Sequence, residues 1–157
     1  MVVQKKTHRG GFAGLLARLQ TLKKVAVLVG IPSEKASRTG ADINNAELLY
    51  IHTNGSPLRN IPARPVIEPA LKANKEKIMA EYSKAVSAAA EGSDSELVTA
   101  LTRTGLAGEN AARDWFTDPR NEWAPNTPKT IARKGSSRPL IDTSAMRKAI
   151  THVVRNG

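Results

Sequence analysis

Ala88-Ala-Ala-Glu-Gly-Ser-Asp-Ser-Glu-Leu-Val-Thr-Ala-Leu101 is the stretch on which the fold turns. Gly92 ends one helix, and Ser93 with Glu96 three residues later has the spacing of a capping box for the next. Upstream, Ile67, Leu71, Ile78, Tyr82, Val86 and Ala89 recur at helical spacing. They predict the buried stripe of a long helix from about Pro69 to Glu91. Downstream, Leu97, Leu101, Gly105, Gly108, Ala112 and Trp115 share one face of a second helix, which Asp118-Pro119 stops near Thr117. The small side chains at Gly105, Gly108 and Ala112 are expected to let the first helix approach closely. Two long helices joined by one tight turn make a helical hairpin.

The flanks of the hairpin supply the rest of the domain. Leu15, Leu16, Leu19 and Leu22 predict a short amphipathic helix, and Val25-Ala-Val-Leu-Val-Gly-Ile31 a strand. Apolar residues at both odd and even positions of that strand imply cover on both faces. Pro32 to Asp42 reads as a loop, and Asn44 or Asn45 starts a helix that runs to about Thr53 and halts near Gly55. Ala63 to Pro65 is extended, because each residue before a proline is turned away from helix. Thr151-His-Val-Val-Arg155 has the β-branched content of a closing strand. The expected architecture is α+β: a small, mainly antiparallel sheet packed against a long helical hairpin, with short flanking helices. Residues 1–11 are expected to form a flexible basic arm and 12–157 a single domain.

A chain of 157 residues is long enough to bury roughly 68–70% of its unfolded surface. With two each of Trp, Tyr and Phe, its core must come from Val, Ile, Leu and Ala. No cysteine is present, which excludes disulfides and thiolate metal sites. No apolar run approaches the roughly 20 residues of a membrane helix, and no apolar leader points to secretion. The net charge of +10 is uneven. Residues 1–40 hold eight Lys/Arg against one acid, residues 41–118 eight against eleven, and residues 119–157 eight against two. Basic ends suit nucleic acid or an acidic protein neighbour. Spread-out charge without aromatic platforms predicts only weak, sequence-blind DNA contact.

Candidate chemistry is sparse. His8, His52 and His152 lie in different segments without zinc-ligand spacing, and His52 near a helix end reads as solvated or capping. Neither a phosphate-binding Gly-rich loop nor a nucleophile elbow occurs, so no enzyme class and no cofactor is indicated. Arg64, framed by Ala63 and Pro65, suits a bidentate contact with a carboxylate, in this chain or a neighbour. An internal pair fixing the loop against the long helix is the other reading of it. Trp115 at helical spacing reads as core, and Trp123 in its Pro-flanked loop as an interface anchor.

The last third carries two helix starts. Thr127 can cap a helix opening at Pro128, which Gly135 ends by accepting a left-handed conformation. Asp142 can cap a second, Thr143 to Ile150. This segment resembles the C-terminal signature of the tail-completion, or virion-morphogenesis, family of tailed bacteriophages. Trp123, Pro125, Thr130, Ile131, Lys134, Gly135, Pro139 to Thr143, Arg147 and Ile150 carry the match. A second block agrees: Gly55, then Ile61-Pro-Ala-Arg-Pro-Val-Ile-Glu-Pro-Ala-Leu71. Ser144 departs from a usual Gly, Val66 from an aromatic, and Thr53-Asn54 from Glu-Phe.

The resemblance implies a structural virion protein of the neck or tail, present in the host cytoplasm during assembly. It would complete the tail and support head–tail joining, against a tail terminator, tail tube or head connector. Rotational symmetry of such parts implies a homo-oligomeric ring, with a hexamer as the first expectation. The alternatives are a terminator ring subunit capping the tube, or a basic nucleic-acid-binding protein. Arg64, Pro65, Trp123, Lys134, Arg138, Asp142 and Thr143 are the candidate interface residues.

Overall fold

The computed structural model describes residues 11–156, so the expected basic arm lies, but for Gly11, outside the described residues. The element order is α1 (Phe12–Leu22), β1 (Val25–Gly30), α2 (Asn45–Asn54), α3 (Ile67–Ala73), α4 (Lys75–Glu91), α5 (Asp94–Asp114), α6 (Pro128–Lys134), α7 (Ala145–Ala149) and β2 (Thr151–Asn156). The two strands pair antiparallel, from Val25 opposite Asn156 to Gly30 opposite Thr151. The sheet lies against the α4–α5 hairpin, and α1 lies on α4. The fold class is α+β, as the sequence leads one to expect.

The hairpin turn forms differently from its expected chemistry. Gly92 takes a left-handed φ of 76°, and the Ser93 N–H bonds the Ala88 carbonyl at 3.0 Å. That six-residue loop back onto the first helix is a Schellman closure. It occupies the N–H that a capping box would offer to Glu96, and the Ser93 side chain caps nothing. The expected single helix before the turn starts at Ile67 and breaks at Asn74, where φ is −113° and ψ 19°. Asn74 Nδ2 donates to the Ala70 carbonyl at 2.9 Å, a side-chain competitor for a helical acceptor. Past the break the buried face is Ala85, Ala88 and Ala89, while Val86 stands out in solvent. At its end the stripe therefore keeps the expected Ala89 and takes Ala85 and Ala88 in place of Val86.

The α5 glycines face mainly the sheet. A methyl group on Gly105 would collide with the His152 ring of β2, and one on Gly108 would come 2.8 Å from Val29 and 3.2 Å from Leu71. Only Leu71, on α3, belongs to the helix that these glycines were expected to admit. His152 fills the space over Gly105 and hydrogen-bonds buried Glu109 at 2.7 Å, while Thr151 Oγ1 donates to the same carboxylate at 3.1 Å. Arg113 completes the cluster at 2.7 Å. Burial pushes the Glu109 pKa up, but the bonds from His152 and Thr151 and the charge of Arg113 outweigh it and hold it below its ordinary value.

β1 is covered on one face only. Val25, Val27 and Val29 turn inward, whereas Leu28 is 47% exposed, because no further layer covers a two-stranded sheet among the described residues. The core divides in two. Leu22, Ala85, Ala89, Ala100 and Leu101 pack near the hairpin turn. Leu49, Val66, Ala70, Ala112, Trp115, Phe116, Met146 and Ile150 pack at the other end, under the loops that carry the candidate interface residues.

Candidate functional site

Gly55 sets the entry to the site. Its φ of 73° with ψ of 177° is open essentially to glycine alone, and a methyl group there would meet the Ala63 nitrogen at 2.8 Å and the Ile61 carbonyl at 2.9 Å. The chain therefore doubles back tightly after α2. Ser56 and Ile61 bridge, and the Arg64 N–H bonds the His52 carbonyl at 2.6 Å. This fixes Ala63 to Pro65 beside the C-terminal end of α2.

From that frame Arg64 reaches across to the last third of the chain. Its Nε and Nη2 donate to the Ala124 carbonyl at 3.1 and 2.7 Å, and Nη2 also to the Pro125 carbonyl at 3.2 Å. The fork holds main-chain carbonyls rather than the expected carboxylate. With the backbone already fixed on both sides, it acts as a staple between two loops. Arg64 is buried, and burial holds its pKa below the usual guanidinium value. Trp123 adds a second staple: its Nε1 donates to the Pro65 carbonyl at 3.1 Å. Its ring meets Phe116 edge-on, with centroids 5.9 Å apart. The indole thus packs half-buried against the core, and Pro65 contributes its carbonyl.

Beyond the staples, Thr127 caps α6 as its spacing requires, accepting the Thr130 N–H, and Gly135 closes it. Lys134 at the end of α6 donates to the Arg138 carbonyl at 2.9 Å. Burial lowers the Lys134 pKa; Asp142 opposes this, and Arg64 and Arg133 add to it. Asp142 caps no helix. The backbone turns left-handed at Leu140 and again at Ser144, so α7 begins two residues later than expected with Ser144 at its N-terminus. Thr143 Oγ1 accepts the Ala145 N–H at a long 3.4 Å.

These segments enclose a cleft of about 410 Å³. Four of the seven candidate residues line it, namely Arg64, Lys134, Asp142 and Thr143, whereas Pro65, Trp123 and Arg138 do not. Sequence reasoning missed four further lining residues that matter: Arg38, Asn45, His52 and Arg133. Positions 45 and 52 are two turns apart, so helical spacing alone places both on one face of α2. Asn45 is 3% exposed; its Nδ2 donates to the Ser37 carbonyl at 3.1 Å, and its Oδ1 has no donor among the described residues. His52 Nδ1 likewise has no partner there. Burial first, then the charges of Arg64 and Lys134, push the His52 pKa down.

Among the described residues Arg38, Arg64, Arg133 and Lys134 face the cleft against a single carboxylate, Asp142. The arrangement favours anions in a partly desolvated setting, where charge-assisted hydrogen bonds are strongest. No hydroxyl hydrogen-bonds His52 among the described residues, so no nucleophile is paired with a base there. Nor do the described residues group three His, Asp or Glu side chains in a way that could hold a metal ion. The chain matches no protein-family model, no curated protein and no solved structure.

Proposed function

We propose that the chain is a structural subunit of a bacteriophage neck or tail, which completes the tail and supports its joining to the head. One observation supports this reading best. The two sequence blocks that carry the family resemblance, some sixty residues apart, fold into one surface unit: Arg64 holds Ala124 and Pro125, Trp123 holds Pro65, and Arg64, Lys134, Asp142 and Thr143 rim one cleft. A resemblance carried by scattered matches gives no reason for those positions to meet. A surface that recognises preassembled parts does. In the same reading the subunit closes into a ring, a hexamer by expectation, because parts with rotational symmetry are matched by head-to-tail contacts that close.

Deletion of the gene in its phage tests the role. DNA-filled heads and tails of normal length that fail to join are the expected outcome in electron micrographs. Tails of uncontrolled length would assign a terminator instead, and a normal infectious yield would overturn the structural reading.

A further inference from the structure

We propose that the cleft between α2 and α6 receives a short acidic peptide segment of a protein partner. Its carboxylates lie against Arg38, Arg64, Arg133 and Lys134, and a backbone N–H of the segment bonds Asn45 Oδ1. The inference names the partner chemistry of the docking reading and rests on that reading only for choosing a macromolecular ligand.

Three observations carry it. The first is charge: four cationic side chains and one carboxylate face a single concavity. Among the described residues none of the four cations is paired with a carboxylate within salt-bridge distance. The second is Asn45. Asn45 lines the cleft and its buried Oδ1 has no donor among the described residues, so a small turn of its amide offers an acceptor to an N–H or O–H that enters. A phosphodiester or a bare inorganic anion presents acceptors alone, whereas a peptide offers carboxylates and N–H donors on one chain. The third is the absence of stacking platforms. Among the described residues no Phe, Tyr or Trp lines the cleft, and single-stranded nucleic acid is held largely by stacking on such rings. At about 410 Å³ the space falls within the roughly 300–1,000 Å³ typical of pre-formed binding sites.

Fluorescence anisotropy with the purified full chain tests this. The probe is a labelled twelve-residue peptide of alternating Glu and Gly. Its comparators are the Gln version, a version N-methylated along its backbone, and an oligothymidylate of equal charge. The Glu peptide should bind saturably, at least about tenfold tighter than each comparator. Arg38→Glu/Arg133→Glu should weaken it at least about tenfold, because like charges would then face each other. Arg133→Glu alone, exposed on α6, should weaken it in the same direction and serves if the double variant melts early. Lys75→Glu/Lys77→Glu makes the same charge change on α4, outside the cleft, and should leave binding within about twofold. Equal losses in the two double variants would reduce the effect to net charge and overturn the proposal. So would tighter binding of the oligonucleotide through Arg38 and Arg133, or no saturable binding of the Glu peptide. Equal affinity for the N-methylated peptide would likewise overturn it, since no backbone N–H would then be needed. The particle phenotype of the deletion does not depend on any of these curves, so the two readings fail separately.

Discussion

The two ends of the molecule are held together by different physics. Near the hairpin turn, three of the five buried residues of the cluster are alanines, and α4 and α5 meet through small side chains repeated at helical spacing. At the cleft end the core is built from Trp115, Phe116, Met146 and Ile150, and the loops above it are fixed by buried polar groups, Arg64, Asn45 and Asn126. The hairpin end is therefore specified by contacts local to two consecutive helices. The cleft end is specified by bonds that span sixty residues, such as Arg64 to Ala124. A region of the first kind tolerates change so long as volume is kept. One of the second kind fails when a single donor is lost, because partners are then stranded away from water.

The largest expected effect tests the hairpin end. Leu101 is 4% exposed in the alanine-rich cluster, so Leu101→Ala should cost about 2–5 kcal/mol in urea unfolding. A loss below about 0.5 kcal/mol, the size of ordinary surface changes, would reject the packing of α4 against α5. Peptide binding at the cleft should survive at temperatures where the variant is folded.

At the cleft end, Arg64→Ala should cost about 3 kcal/mol, since three charge-assisted bonds are lost and the Ala124 and Pro125 carbonyls are left underused. Arg64→Lys should recover less than half of this, because an ammonium does not reproduce the two-nitrogen fork. Full recovery by Lys would mean that charge rather than geometry holds the loops. The same unfolding measurements decide it.

The contrast explains what was legible in the sequence. Period and punctuation revealed the hairpin, α1, α2 with its start at Asn44 or Asn45, α6 and both strands, because each is decided by residues within a few positions of one another. The break at Asn74 was not legible, since asparagine competes for a carbonyl only when its rotamer lets it. The start of α7 was missed because Asp142 has cap chemistry, yet the chain turns left-handed at Leu140 and Ser144, which no cap rule anticipates. Arg64 stood out by its proline frame. Its acceptors did not, because main-chain carbonyls sixty residues away leave no trace in composition. Arg38, Asn45 and His52 entered the site only once the fold had closed around them.

A pH titration of stability separates the two ends further. The folded-state pKa of His52 lies below the ordinary 6.5, from burial first and then from Arg64 and Lys134. The unfolded chain thus takes up this proton at higher pH than the folded one. The contribution of His52 is complete above about 6.5 and declines as pH falls through that value, until the folded ring also titrates. One proton sets a ceiling of about 1.4 kcal/mol per pH unit on the slope. Urea midpoints measured from pH 7.5 down to 5.5 should fall for the natural chain and fall less for His52→Gln. Leu101→Ala should shift the whole curve and keep its slope. Parallel curves for the natural chain and His52→Gln would place the pH sensitivity elsewhere.

The smallest effect has the opposite sign. Ser144 sits at φ 61° and ψ 10°, the left-handed region, at the N-terminus of α7, and its side chain caps nothing there. A residue with a Cβ gives up roughly 1–2 kcal/mol in that region, which glycine does not. Glycine in turn loses more backbone entropy on folding, about 0.5–1 kcal/mol. Ser144→Gly should therefore stabilise the chain by about 0.5–1 kcal/mol, read as a higher urea midpoint at an unchanged slope. The cleft end, held by single bonds and strained turns, thus has stability to gain from one substitution, while the alanine-packed hairpin offers no comparable site. A lower midpoint for Ser144→Gly would mean that the serine hydroxyl holds the turn through a bond stronger than the strain.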